Sequence, residues 1–420
     1  MTLTQKPTAE LLPSAYTEST APAWRRRSLL AGIGSLGLLA TTPGLAATLS
    51  FPAWLAAFRR EAAASGIAET TLRRALDGIS PVNRVLELDR RQPEFMQSFW
   101  RYMRRVNDRR IAEGQQLQSA NNRILSKVEA ESGVPAPVLM SFWGLETNFG
   151  GYLGDFQVIP AVATLAWDGR REALFRGELL AALRIVQSGV RTERDLIGSW
   201  AGATGQFQFL PSTYLRNAVD EDGTGVPDIW SSLPDAFASA ANLLRNNGWR
   251  VGEPWGYEVT LPNGFNYALA DGKTARPLTD WQDLGVRRPG GVGLTPASDS
   301  GALVLPAGWQ GPAFLVFSNY RAIRRWNNSE LYALSVGILS DRIAGFGPLS
   351  KGPPADADQR LTLQEVRQMQ SRLNALGYDS GIPDGKVGPM TKGAIRAYQV
   401  DRGLPADGYP TAALLRQILN

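Results

Sequence analysis

The segment that most constrains the fold is residues 135–151, where nearly every residue between two prolines and two glycines is apolar. Pro135 and Pro137 suit the first turn of an α-helix, where a missing N–H costs little. Gly150 and Gly151 predict where that helix ends. A helix with so few polar positions is typically buried on most sides. The sequence therefore predicts a core helix around which the rest of the chain is organised.

Glu146 is the one acid within this segment. It follows Phe142 by four residues and Trp143 by three, so it shares their stripe and is expected to point inward. Desolvation and the negative end of the helix dipole would both raise the pKa of its carboxyl, which suits a general acid. A buried structural Glu, satisfied by an Arg or by backbone groups, is an equally good interpretation of this segment alone.

The composition places stronger limits on the possible chemistry than on the possible folds. A length of 420 residues allows two or three domains, and 44% hydrophobic residues with 12 Trp predict a folded core. A net charge of +5 is too small to indicate nucleic-acid binding, although it suits weak attraction to an anionic polymer. Because the chain has no Cys and no His, thiol and Ser-His-Asp nucleophiles and the usual zinc sites are excluded. Carboxylates, amides, hydroxyls, Lys or Arg must do the chemistry.

Residues 1–47 are predicted to be an export signal. A basic cluster at 25–27 precedes Ser28 and a short apolar, Gly-rich run, followed by small residues near 46–47. The order Arg-Arg-Ser-Leu-Leu resembles a twin-arginine signal, which exports proteins already folded. An uncleaved anchor is the alternative, although the run is short for a membrane span. We expect a periplasmic protein without a membrane anchor after cleavage.

Periodicity predicts a mainly α protein with a small β lobe. Residues 51–130, 161–167, 172–186 and 313–342 have helical patterns, whereas the Gly- and Pro-rich residues 251–312 contain strand-like pieces at 257–261 and 302–305. Residues 348–358 form a predicted linker. Residues 359–420 are predicted to be a compact helical unit that begins with a Thr362–Glu365 capping box.

Several polar side chains are candidates for contacts with a ligand. Small residues in the segment 199–212 would let the backbone approach a ligand closely, and Gln208 offers an amide donor and acceptor among aromatic residues. Arg170 and Arg171 occupy a turn, where they could be solvated or could hold a carboxylate-bearing substrate. Tyr102 could face either the core or a cleft.

The acidic segment that starts at Asp220 resembles the first half of a calcium-binding loop. Oxygen-bearing side chains alternate from Asp220 to Asp222, and a glycine, Gly225, stands at the sixth position. The twelfth position is Ser231 instead of Glu, so Asp235 would have to close the site. A calcium site and an acidic turn without a metal remain equally good interpretations.

Three motifs together resemble the lytic murein transglycosylase B family. They are W-G-L-E-T-N-F-G at 143–150, S-W-A-G-A-T-G-Q-F-Q-F-L-P-S at 199–212 and W-N-N-S at 326–329. The resemblance implies a lysozyme-like domain over residues 48–347 that cleaves peptidoglycan between N-acetylmuramic acid (MurNAc) and N-acetylglucosamine (GlcNAc). It implies no cofactor for catalysis. The alternatives are a hydrolytic muramidase and a non-catalytic wall-binding protein.

The same resemblance implies roles for individual residues. Glu146 is the implied catalytic acid and base, and the implied substrate-binding residues are Ser199, Gln208, Asn327, Trp326 (where Tyr is usual), Arg170, Arg171 and Tyr102. The family can carry a structural calcium ion, here implied at Asp220, Asp222, Thr224, Val226 and Asp235. Thr224 and Val226 replace stronger ligands.

The C-terminal segment resembles the type 1 peptidoglycan-binding module. Residues 373–399 contain its Asp-Gly, Gly-Pro and Tyr-Gln pairs, at 384–385, 388–389 and 398–399. This implies a small three-helix domain over residues 359–420. The expected partner is therefore the glycan strand of peptidoglycan, bound by a monomer.

Overall fold

The structure is a computed structural model that describes residues 49–91, 97–294, 298–354 and 361–420. The predicted export signal therefore lies outside the described residues. Leu49–Asn420 forms one compact unit. Within the described part of the chain, no helix is long and apolar enough to cross a membrane.

The N-terminal region is helical as predicted, and proline or a polar cap starts several of its helices. The helices are α1 (Phe51–Ala64), α2 (Glu69–Leu76), α3 (Asn83–Arg91), α4 (Phe99–Met103), α5 (Asp108–Ala120), α6 (Asn122–Ser132) and α7 (Ala136–Thr147). Next come β1 (Phe156–Gln157), α8 (Val158–Trp167), α9 (Glu172–Gln187), β2 (Ile197–Gly198), α10 (Pro211–Asn217) and α11 (Leu233–Asn246). β1 and β2 pair antiparallel.

The predicted core helix is α7, which packs against α5, α6, α11 and a later helix, α14 (Glu330–Ile343). It begins after Pro135 as expected, but it ends at Thr147 and not at Gly150. Asn148 and Phe149 have φ values of 52° and 57°, which are not helical, so the helix ends before the chain reaches Gly150. The physical reason is that Asn tolerates the left-handed conformation, and burial of the Phe149 ring, 8% exposed, holds the turn.

The β lobe is confirmed, with one correction. Its four-stranded antiparallel sheet has the order β3-β6-β5-β4, formed by β3 (Gly256–Val259), β4 (Arg276–Pro277), β5 (Ser300–Val304) and β6 (Ala313–Val316), with α12 (Leu278–Asp283) following β4. Residues 313–316 were predicted to be helical, which is wrong. Four buried apolar residues in a row show no periodicity, and they form a central strand because β3 and β5 cover both of its edges.

The remaining described helices are α13 (Ser318–Trp326), α14, α15 (Leu363–Ala375), α16 (Pro389–Asp401) and α17 (Ala412–Leu419). The last three form the C-terminal module (residues 361–420), which has its own apolar core that includes Leu373, Ile395 and Ile418. The predicted Thr362–Glu365 capping box opens α15. The predicted mainly α class with a three-helix C-terminal domain is thereby confirmed.

Candidate active site

Glu146 lies in the last turn of α7 and is half-buried. Its Oε1 accepts a hydrogen bond from the Trp326 indole Nε1, 3.1 Å away, and another from the Tyr332 hydroxyl. Trp326 ends α13, and Tyr332 lies in the first turns of α14. Two helices from the far end of the sequence therefore orient the carboxyl group that the sequence singled out.

Aromatic rings hold the Trp326 indole in place. The Phe142 ring lies 4.4 Å from it between centroids, and the Phe209 ring lies 5.5 Å away, edge to face. The Phe207 ring packs against the same indole, with 6.3 Å between the ring centroids. Since α7 supplies Phe142 and the segment 199–212 supplies the other two, the indole N–H has little freedom to turn away from Glu146. Such apolar surroundings also strengthen the polar contacts within them.

Gln206 fixes the end of α7, and it was not among the predicted site residues. Its Oε1 accepts from Trp143 Nε1 at 2.8 Å, and its Nε2 donates to the Trp230 carbonyl at 2.9 Å. Its own carbonyl accepts from the Thr147 hydroxyl at 2.9 Å. The residue is 9% exposed. A glutamine among aromatic residues, two positions before Gln208, was the available sequence signal.

Two of the predicted sugar-contacting residues, Gln208 and Asn327, are sequence neighbours of the same aromatic cluster. Asn327 directly follows Trp326, and Gln208 stands between Phe207 and Phe209. The Gln208 Nε2 donates to the carbonyls of Leu153 and Gly205, each at 3.1 Å, and its φ is 50°. Ser199 closes a tight turn, in which its Oγ accepts from the Ala203 N–H at 3.1 Å. All three predicted contact residues are half-buried, and their role in sugar binding stays a prediction.

The other predicted contacts are placed differently. Tyr102 is 1% exposed, and Arg105 lies over its ring at 4.3 Å. Of the two alternatives that the sequence left open for Tyr102, the structure shows the core, and a substrate contact by this residue stays a prediction. Arg170 and Arg171 both pair with the buried carboxylate of Asp89, Arg170 at 2.8 Å. The structure thus shows an ion pair that joins α3 to the turn before α9, and a substrate contact by these arginines stays a prediction.

The acidic loop brings three carboxylates together. Ligand oxygens of Asp220, Asp222 and Asp235 all lie within 4.8 Å of one another. The Thr224 hydroxyl lies 3.4 Å from Asp220 Oδ1 and 3.3 Å from the Val226 carbonyl. This set contains only oxygen donors, which suits a hard cation such as Ca²⁺.

Hydrogen bonds hold these carboxylates in position. Asp235 is fully buried, and both of its oxygens accept from backbone N–H groups of the loop, including that of Asp228 at 2.8 Å. The Ser232 hydroxyl donates to Asp222 at 2.6 Å and lowers the pKa of that carboxyl. The hydrogen bonds therefore hold the three carboxylates in a preorganised arrangement.

The chain matches two protein-family models. Residues 50–341 match the transglycosylase SLT domain, and residues 362–418 match a peptidoglycan binding domain. Glu146, Trp326 and Tyr332 all lie within the first match.

Relatives agree with the first of these models. Membrane-bound lytic murein transglycosylase B of Escherichia coli (strain K12) is 32% identical over 220 residues, which span 50% of this chain and 58% of that protein. SltB3 from Pseudomonas aeruginosa, in complex with NAG-anhNAM-pentapeptide, is 45% identical, with a TM-score of 0.85 over 88% of this chain and 100% of that chain. E. coli Slt35 in complex with calcium is 27% identical, with a TM-score of 0.59 over 69% and 92% of the two chains. The chain therefore belongs to the transglycosylase SLT domain family, that of the lytic murein transglycosylases, and carries a peptidoglycan binding domain as well.

Proposed function

We propose that this chain is a lytic transglycosylase that cleaves the β-1,4 bond between MurNAc and GlcNAc without water and leaves 1,6-anhydroMurNAc ends. The observation that carries the proposal is the Glu146 carboxyl, which Trp326 and Tyr332 orient at the end of a core helix. The anhydro sugar in the complex of SltB3 supports the same product class.

In the first step Glu146 acts as a general acid. An indole N–H can only donate a hydrogen bond, so Trp326 requires Oε1 to be an acceptor in every protonation state. The transferable proton is therefore carried on Oε2. Glu146 gives that proton to the glycosidic oxygen while the C1–O bond breaks and the sugar gains oxocarbenium-ion character.

In the second step the same carboxyl acts as a base. The 2-acetamido oxygen of MurNAc traps the cationic C1, so a second enzyme carboxylate is not required. Glu146, now ionised, takes the proton of the C6 hydroxyl, and the C6 oxygen attacks C1 and displaces the acetamido group. A 1,6-anhydro ring closes, Glu146 regains its proton, and no water is consumed. Ser199, Gln208, Asn327 and Trp326 would bind the sugars during both steps.

The products distinguish this reaction from the alternatives. Digestion of purified peptidoglycan is expected to give muropeptides with anhydro ends, measured by mass spectrometry. Products heavier by one water per cleaved bond would show a hydrolytic muramidase instead. An absence of cleavage, with retained binding to peptidoglycan, would leave only the wall-binding function.

We propose further that Asp220, Asp222 and Asp235, with Thr224 and the Val226 carbonyl, bind a structural Ca²⁺. The calcium complex of Slt35 supports this. Calcium is expected to raise the melting temperature, because a ligand that binds the native state stabilises it, and chelation should reverse the increase. Asp220→Asn should abolish the effect, whereas Asp195→Asn, in a turn elsewhere, should keep it. Equal melting temperatures with calcium and with chelator would reject the site.

We propose that the chain works as a periplasmic monomer, exported by the twin-arginine route. The peptidoglycan binding domain and the arginine pair in residues 26–27 support this location. Replacement of Arg26 and Arg27 by Lys should leave the unprocessed protein in the cytoplasm, as fractionation would show. Export at the normal level would contradict the route.

A further inference from the structure

Tyr152 is an aromatic residue that the fold leaves uncovered on the loop after Glu146. The residue is 60% exposed, and among the described aromatic residues only Trp309 and Phe346 are also exposed, at 41% and 63%. Those two lie in other parts of the chain, before β6 and after α14. An exposed aromatic ring forgoes the large apolar area that it could bury. Tyr152 is therefore a candidate for contact with a ligand that binds beside Glu146.

Hydrogen bonds join the start of this loop to the helix that carries the acid. The Tyr152 N–H donates to the Thr147 carbonyl at 2.9 Å, and the Gly151 N–H donates to the Asn148 carbonyl at 3.2 Å. From the length of one hydrogen bond and the spacing of consecutive Cα atoms, the Tyr152 and Glu146 backbones lie within about 10 Å of each other. The ring can therefore reach a sugar next to the bond that Glu146 protonates.

The far end of the loop is held against β2 and the segment 199–212. The Leu153 carbonyl accepts from Gln208 Nε2 at 3.1 Å. A Cβ on Gly154 would clash with the Gly198 carbonyl, so the loop backbone packs directly against β2. Because both ends are fixed, the loop that carries the exposed ring connects the acid to a residue that is predicted to bind sugar.

A further hydrogen bond orients the ring itself. The Tyr152 hydroxyl donates to Asp155 Oδ1 at 2.9 Å, and this bond raises the pKa of the hydroxyl. Asp155 is exposed. Because a carboxylate accepts up to about four hydrogen bonds, Asp155 keeps the capacity to accept from a ligand hydroxyl. The loop thus presents an aromatic face and a carboxylate side by side, and a ring that is already oriented loses less entropy on binding.

This pair of groups suits a pyranose ring. The faces of a β-linked N-acetylhexosamine carry axial C–H groups and are apolar, whereas its edge carries hydroxyl groups. An aromatic ring covers an apolar face, and a carboxylate accepts hydrogen bonds from the edge. A stem peptide fits less well, because its carboxylates would be repelled by the charge of Asp155. The chemistry of the loop therefore favours the glycan over the peptide.

We infer that Tyr152 and Asp155 form a further sugar-binding subsite, in which the Tyr152 ring stacks on a sugar of the glycan strand beside the cleaved bond. The inference rests on the proposed function, since it adds a contact to the same substrate. The stacked ring positions the strand relative to Glu146 and takes no part in proton transfer. Loss of the ring should therefore raise KM and leave kcat unchanged.

The test separates the aromatic face from apolar bulk, with glycan strands that carry no stem peptides as the substrate. Tyr152→Leu keeps an apolar side chain and should raise KM about five- to tenfold, with kcat and the melting temperature unchanged. Tyr152→Phe keeps the aromatic face and loses only the bond to Asp155, so its KM should stay within about twofold of wild type. In the Glu146→Gln background, dissociation constants for the same strands, measured by titration calorimetry, should follow the same order.

Phe346→Leu is the matched control, because Phe346 is equally exposed but follows α14 at the end opposite Tyr332. It should keep the wild-type KM. A wild-type KM for Tyr152→Leu, or a rise seen only on strands that carry stem peptides, would overturn the inference, and anhydro products from these variants would leave the proposed function intact. Cleavage without anhydro ends would instead reject the proposed function, and the order of the dissociation constants would still decide the inference.

Discussion

Tyr332 and Trp326 distinguish Glu146 from an ordinary glutamate at a helix end. The sequence could place Glu146 on an inward stripe, because helical periodicity is a local property. It could not identify Tyr332, because that residue stands in an apolar run 186 positions away and nothing local marks it. Tyr102 shows the converse: an aromatic residue in a basic segment is equally compatible with a cleft and with a core, and only packing decides.

Removal of the Tyr332 hydroxyl should impair catalysis without unfolding the protein. Tyr332→Phe keeps the buried ring and deletes one donor to Glu146 Oε1. A hydrogen bond to a charged group contributes about 1.5–3 kcal/mol, so kcat should fall about 10- to 100-fold, as measured by release of anhydromuropeptides. Tyr378→Phe, which removes a hydroxyl bonded to Asp401 in the C-terminal module, is the control and should keep full activity. An unchanged kcat for Tyr332→Phe would show that the Tyr332 hydroxyl does not contribute to catalysis.

At the scale of elements, the end of α7, which carries Glu146, packs against the segment 199–212. Asn148, Phe149 and Gly150 have φ values of 52°, 57° and 79°, and a Cβ on Gly150 would lie 2.6 Å from Gln206 Oε1. The glycines at 150–151 correctly predicted that the chain turns here. The residues that actually end the helix could not be predicted, because Phe rarely adopts positive φ and does so here through tertiary packing.

Gly150→Ala should therefore lower the free energy of unfolding by more than the strain of a positive φ alone would. Gly169 has a similar φ of 82°, and a Cβ there would meet nothing within 4 Å. Gly169→Ala should lower the free energy of unfolding by about 1 kcal/mol. Gly150→Ala should lower it further and reduce kcat, since Gln206 must move. Chemical denaturation and turnover measure both effects, and equal losses in the two variants would show that the Gly150–Gln206 contact is unimportant.

Asp341, on α14, is a buried acid whose ionisation opposes folding. Asp341 accepts from the Trp255 indole at 3.2 Å, and burial raises the pKa of its carboxyl from 3.8 to about 7. Because the unfolded chain releases this proton first, stability falls as the pH rises from about 4 to about 7 and then levels off. At about 1.4 kcal/mol for each pKa unit, the loss is at most roughly 4 kcal/mol.

Asp341→Asn should remove this pH dependence. The variant should be more stable than wild type at pH 8 and nearly equal to it at pH 4, as measured by denaturant unfolding across that range. Asp283→Asn, at an exposed site, should keep the wild-type profile. Parallel profiles for wild type and Asp341→Asn would show that Asp341 ionises normally in the folded protein.

At the scale of the whole molecule, three distant segments meet at one site. Their meeting was expected only through the family resemblance, because periodicity and composition carry no information on long-range packing. The same limit explains strand β6: its four apolar residues have no period, and only pairing on both edges identifies them as a strand. The predicted linker also differs from a free tether where it is described, since Ser350 donates two hydrogen bonds to Glu258 of the β lobe.

The central claim is that a single carboxyl, Glu146, both breaks the glycosidic bond and closes the anhydro ring. The most direct test is the mass profile of muropeptides released by wild type and by Glu146→Gln. Glutamine keeps the size of the side chain and can still accept from Trp326 and Tyr332, but it cannot transfer the proton. We predict anhydro ends from wild type and at least about 100-fold less product from the variant, with an unchanged melting temperature. Anhydromuropeptides in equal yield from both proteins would contradict the claim.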